Sequence, residues 1–277
     1  MFRVCKVLLA DGRRIPEQRP EMVAKKYKFY WVQGVADPAQ LEKALGTDVD
    51  GPAATVFARI REFPRLLTDR ELSDVLFFVA LQMTRVPRFR KLVDYVYASE
   101  GLRFFAEKVS SAEVSRDAAL RGQPGVTKKK IIAMVRSGEL QITPRQNSYL
   151  RSMLESTQAI IPWLERREWS VRTVPIGAPD LISSDLPVKS IRRLGTEWEI
   201  TTGRLSWPDA EVMIAISSHI ALVGARRRAV VEPLTVSEIA GFNFATAGGA
   251  TELYSREPVV VGVADSAHLS SGTTLPF

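Results

Sequence analysis

The stretch ELSDVLFFVALQMTR, residues 71–85, constrains this chain more than any other. As a helix it is apolar on nearly every face, so it must be wrapped by other elements rather than laid on a surface. Its ends are marked. Thr68-x-x-Glu71 has the spacing of a capping box, in which the two side chains satisfy free N–H groups at the helix start. Pro87 ends or kinks the helix, because proline lacks the donor and clashes one turn back. The most strongly apolar run within it, Val75–Leu81, falls far short of the roughly 18 residues of a membrane span.

The elements around it are legible in outline. Asp37-Pro38 and Gly51-Pro52 each open a helix. Leu92, Val93, Val96, Tyr97, Phe104 and Phe105 recur at helical spacing over 88–109. Residues 110–127 are small, charged and Gly/Pro-bearing and read as a loop. Lys128–Lys130 starts a short helix, and another runs from about Arg145 to Trp163. After Trp169 the period changes to that of strands: SVRTVPI, EWEITTGRLSW, EVMIAISSHIALVGA and PVVVGVA, with one helix at 235–247. The expected fold is therefore α+β, with a mainly helical N-terminal half followed by a mostly antiparallel β-rich C-terminal part, packed as one unit. The expected organisation is a single compact domain over 1–277. Its subregions are a strand and basic/aromatic segment at 1–34, a helical part at 38–168 and a β-rich part at 169–277.

Composition narrows the function classes. Hydrophobic residues make up 45% and charged residues 25%, which excludes a disordered or collagenous chain. Cys5 is the only cysteine, so no internal disulfide forms and no Cys-based metal site is built. The opening MFRVCKVLLADGRR is too short and too charged for a secretory segment. These features point to a soluble protein of a reducing cytoplasm, with no membrane partner. The net charge is +7 and the isoelectric point about 9.6. Such a balance suits nucleic acid or another phosphate-bearing ligand. The charge is uneven: residues 1–34 carry a net +5 and residues 229–277 a net −4, so the acidic end is able to fold back on the basic start.

There is no Walker loop, GxGxxG, HExxH or GxSxG motif. Asp185 ends the apolar strand Leu181–Ser184 before Pro187. An acid at a strand end can ligate a metal or act as a base, or its side chain can satisfy turn amides. Gln82 and Arg85 share a helical face at the end of the apolar helix. An Arg there needs a partner, which can be Asp185, Asp50 or a ligand phosphate. Asp48 and Asp50 precede Gly51-Pro52, where acids favour a helix start. Lys26 and Lys28 alternate with Tyr27, Phe29, Tyr30 and Trp31, a mixture that can stack bases or form a half-buried strand. Lys128, Lys129 and Lys130, with the scattered pairs Arg166–Arg167, Arg192–Arg193 and the run Arg226–Arg228, can line a phosphate track or face solvent. His219 and His268 are the only histidines, and His219 sits in a strand pattern.

Four pieces carry a resemblance. They are LQMTRVPRFR (Leu81–Arg90), LISSDLPV (Leu181–Val188), AEVMIAISSHIALV (Ala210–Val223) and FNFATAGGATELYS (Phe242–Ser255). In their order and spacing the chain resembles the bacterial domain-of-unknown-function family 4238 over about residues 25–260. The resemblance implies the architecture and no reaction. Two departures stand out. The His-Tyr-Val-Pro-like opening usual in that family is missing here, and the Glu before its GPAATVF-like helix is replaced by Asp50. If that histidine belongs to an active site, this chain is expected to be inactive or to begin downstream of it.

Three readings follow. In the first, a hydrolase acts on nucleic acid or another phosphate-bearing substrate. Asp185 and Asp50 hold Mg²⁺ or Mn²⁺ as catalytic ligands, while Arg85 and Gln82 bind the phosphate, so these side chains converge in one pocket. In the second, a nucleic-acid-binding or regulatory module without chemistry presents a basic face with exposed aromatics, drawn from Lys26, Lys28, Tyr30 and Lys128–Lys130. In the third, the chain is an interaction component of a larger assembly and exposes an apolar patch.

Overall fold

The computed structural model describes residues 4–8, 13–18, 30–194, 197–200, 205–248, 250, 252–255, 259–262 and 273–276. Within it the chain divides into two compact units, residues 87–153 and the rest. The basic/aromatic residues Lys26, Tyr27, Lys28 and Phe29 lie outside the described residues.

In the larger unit, β1 (Val4–Leu8) and β2 (Arg13–Gln18) are followed by α1 (Gln40–Leu45). Helix α1 passes through a π-helical turn (Gly46–Asp50) into α2 (Gly51–Glu62). The expected second helix thus continues the first. The wide turn comes just before Pro52, whose ring and missing N–H a regular α-helix would not accept. Helix α3 (Asp69–Thr84) has the expected capping box, formed in full by Thr68 and Glu71. Val75, Leu76, Val79, Ala80 and Leu81 are all at most 3% exposed. Burying each of the larger ones contributes about 1.5–3 kcal/mol.

The smaller unit is helical: α4 (Pro87–Lys108), α5 (Ser111–Leu120), α6 (Lys128–Ser137) and the start of α7 (Gln146–Glu165), which runs on into the larger unit. The expectation of a loop at 110–127 was wrong over most of its length. Ser110 and Glu113 form a second complete capping box and start α5, a signal outweighed by the small residues around it.

The strands follow α7: β3 (Glu168–Thr173), β4 (Ser183–Ser184), β5 (Val188–Leu194), β6 (Glu197–Ile200), β7 (Ala210–Ser217), β8 (Ile220–Ala225) and β9 (Val231–Pro233). Next come helix α8 (Val236–Ala247), then β10 (Glu252–Ser255), β11 (Val259–Gly262) and β12 (Thr273–Pro276). A six-stranded sheet has the order β6-β5-β7-β8-β3-β9 and is antiparallel except for β3 with β9. The segment read as one long strand at 211–225 is a hairpin, β7–β8, turning at Ser218-His219. A four-stranded antiparallel sheet, β2-β1-β10-β4, pairs the first strand with one near the end of the chain. This pairing sets a strand of the basic start beside a strand of the acidic end. Strands β11 and β12 pair antiparallel with each other.

Alternation places the core. Val171, Val212, Ile214, Ile220 and Leu222 pack with residues of α2, α3 and α7. Their neighbours Met213, Ala221 and Val223 pack on the other face with Ile239, Phe242 and Ala245 of α8. The six-stranded sheet therefore lies between α3 and α8. Three side chains fasten the layers. Trp169 Nε1 and Arg167 Nη1 donate to Leu164 and Trp163 carbonyls in the last turn of α7, and the Leu164 carbonyl also accepts the Arg167 backbone N–H at 3.1 Å. On the opposite face, Arg172 of β3 pairs with Glu238 at 3.0 Å, the acid of the α8 capping box.

Two predictions follow. A Cβ on Gly224 would stand 2.8 Å from the ring of Trp169, its partner across β3 and β8. Gly224→Ala is expected to destabilise the protein by about 1–3 kcal/mol through overpacking, measured by urea unfolding. Glu71 accepts from Arg65 at 2.6 Å, from Arg59 at 3.1 Å and from Thr68 N at 3.1 Å. The Arg65 hydrogen bond is the largest cause that lowers its pKa from 4.5 to about 2, against the opposing effect of burial. A lowered folded pKa stabilises above the unfolded value, and that stability is lost as pH falls from about 4.5 towards 2. Tm should fall through that window, and Glu71→Gln should lower Tm at neutral pH while flattening the acid limb. An unchanged acid limb in that variant would refute this assignment.

Candidate functional site

Arg85 follows the last turn of α3, where the helix-ending effect of Pro87 leaves its side chain beside the start of α2. Its Nη1 donates to both carboxylate oxygens of Asp50, at 2.9 and 3.0 Å. Arg85 is 17% exposed and Asp50 40%. The guanidinium also lies 5.5 Å from the centre of the Phe78 ring, on the same helix. Tyr30 completes the cluster. Burial is the main cause that pushes its pKa up to about 12, with Asp50 and Glu42 adding to the shift and Arg85 opposing it. Tyr30 is half-buried beside this ion pair. Gln82 lies half-buried one turn earlier, and the Arg85–Asp50 pair closes without it. Asp48 is exposed in the π-helical turn.

Asp185 is placed elsewhere. It sits at the end of β4, in the four-stranded sheet. Its N–H donates to Glu252 O at 3.2 Å, and its Oδ1 accepts from Glu252 N at 3.2 Å. The side chain thus continues the β4–β10 ladder as a backbone carbonyl would. Beside it, Tyr254 donates to Glu252 at 2.5 Å, and burial with that bond raises the tyrosine pKa. The preceding LIS segment is anchored by Asn243 of α8, which accepts from Ile182 N and donates to Asp180 O, each at 3.0 Å. The expected convergence of Asp185, Asp50 and Arg85 does not occur: Arg85 takes Asp50 as its partner, and Asp185 serves the sheet. Among the described residues no group of three or more His, Cys, Asp and Glu side chains is arranged to hold a metal ion. His219 stands at the β7–β8 turn, not within a strand, with Nδ1 3.4 Å from the buried Asp180.

The basic residues are distributed differently from the expectation. Residues 87–153 contain 13 Lys or Arg and 6 Asp or Glu, a net +7 in 67 residues. The remainder of the chain holds 25 of each sign. The smaller unit therefore carries the whole net charge. Within the Lys128–Lys130 run, Lys128 donates to Ala106 O at 2.7 Å and closes the last turn of α4. Lys129 and Lys130 are exposed in the first turn of α6, with no ion pair among the described residues. Cations are disfavoured there by the helix dipole. On α4, Val93 is buried, whereas Leu92, Tyr95, Val96 and Phe104 face solvent. Helical spacing alone groups these with the core, because it does not say which face a neighbour covers. Of the other Arg pairs, Arg167 and Arg192 act within the fold: Arg167 holds the carbonyls of Trp163, Leu205 and Ala210, and Arg192 pairs with Asp209.

These observations define an α+β protein whose helical unit is strongly basic. The chain belongs to the family described as Protein of unknown function (DUF4238), whose model matches residues 3–248. No curated protein and no solved structure matches it.

The Arg85 cluster makes a stability prediction. Asp50→Ala leaves a half-buried guanidinium without its carboxylate, at an expected cost of about 1–2 kcal/mol in urea unfolding.

Proposed function

We propose that this protein is a nucleic-acid-binding module that engages its ligand through the helical unit at residues 87–153. The observation that carries this reading is the charge: that unit holds a net +7 while the rest of the chain is balanced. Neutralisation of phosphates by Lys and Arg releases counterions, which supplies most sequence-independent affinity. Lys129 and Lys130 strengthen the argument, since their position at a helix N-terminus opposes the dipole and no ion pair among the described residues offsets it. No helix among the described residues is long and apolar enough to cross a membrane. The hydrolase reading has less support, because the carboxylates assigned to metal belong to separate clusters.

The test is fluorescence anisotropy of labelled RNA and DNA across a salt series, with and without Mg²⁺ or Mn²⁺. Salt-sensitive binding is expected. Lys129→Glu with Lys130→Glu should weaken it and reduce the slope of log K against log salt by about 0.7–0.9 for each phosphate no longer neutralised. Absence of binding at low salt overturns the reading. Metal-dependent cleavage abolished by Asp185→Asn would establish the hydrolase instead.

A further inference from the structure

The long helix α4 exposes an unusual face. Arg88, Lys91, Leu92, Tyr95, Val96 and Ser99 are all exposed and lie at three- and four-residue steps. Arg103, a further four residues on, continues the row. These positions lie on one side of an α-helix. Its centre is apolar, with Tyr95 71% and Leu92 55% exposed, and cations flank it at both ends. Glu100, an acid beside the row, pairs with Arg103 at 2.5 Å. Exposed ion pairs of this kind contribute little, so Arg103 can exchange its partner for a phosphate at small cost. A solvent-facing helix side ordinarily carries the polar residues and the covered side the apolar ones. Here the less exposed side includes Arg90, held at 5.0 Å over the Tyr149 ring and bonded to Gln146.

We infer that this face of α4 is a platform for single-stranded nucleic acid, with Tyr95 stacking a base and Arg88, Lys91 and Arg103 tracking the phosphates on either side. The inference rests on the nucleic-acid reading and names the form of the ligand. A second copy of the chain is a poor occupant, since both copies bring the same +7 unit to the interface. An aromatic ring in line with cations fits an unpaired strand better than a duplex. In a duplex the base faces are stacked on one another, whereas in a single strand they are open to a side chain. Leu92 and Val96 extend the apolar floor beside the ring. Phe104, although exposed, is half a helical circumference from Tyr95 and is not part of the platform.

The experiment compares labelled oligo(dT) with the oligo(dA)·oligo(dT) duplex on the full chain. Oligo(dT) is expected to bind more tightly. Tyr95→Ala should weaken it about tenfold with the salt slope unchanged, and Tyr95→Trp should retain it. Duplex binding should not respond to either variant. Circular dichroism checks that both variants fold, as the exposure of Tyr95 predicts. Equal or tighter duplex binding, or indifference of oligo(dT) to Tyr95→Ala, overturns the platform and leaves the basic unit as a general binder. Failure to bind either probe overturns both readings.

Discussion

Covering α3 is the constraint on which the larger unit depends. A helix apolar on nearly all sides cannot end an assembly; it needs neighbours around it. Helices α2 and α7 and one face of the six-stranded sheet supply them. That arrangement also determines what happens at the ends of α3. At its start, Glu71 gathers two arginines and the Thr68 cap, so the helix begins on a satisfied, charged corner. At its end, Arg85 emerges beside the turn that opens α2 and meets Asp50. The polar residues within apolar elements, which suggested chemistry in the sequence, are largely the fittings that let those elements close.

Asp185 illustrates the same economy on the other side of the sheet. A short strand ending in Ser-Asp-Leu-Pro cannot extend its own ladder through proline. The Asp185 carboxylate takes the place of the next carbonyl and receives Glu252 N–H, while the Ser184 hydroxyl turns on the backbone of Leu186. Asn243 then ties this segment to α8 with both ends of its amide. The residues that make LISSDLPV distinctive thus have a structural explanation in their hydrogen bonds.

The smaller unit has the opposite character. Its helices are capped and closed locally, by the Ser110–Glu113 box and by Lys128 on the end of α4, yet several of its cations and apolar side chains stand in solvent. The protein thus places its whole net charge in about a quarter of its length and leaves a tyrosine between cations on the outside of a helix, the opposite of the larger unit, where the singled-out polar groups are paired within the fold.

The α+β class, the apolar helix, the Thr68 cap, the helix stop at Pro87 and the strand-rich second half were legible in the sequence, because periodicity and capping are local properties of the chain. The pairing of Arg85 with Asp50 was one of three partners that local rules allowed; only the approach of α3 to α2 selected it. Likewise, a 3.6-residue period shows that α4 has two faces, but which of them is covered depends on residues far along the chain. Charge can be counted from the sequence, whereas its confinement to one unit becomes visible only when packing separates residues 87–153 from the rest. Local chemistry sets the elements, and long-range packing decides which polar groups are consumed by the fold and which are left to act.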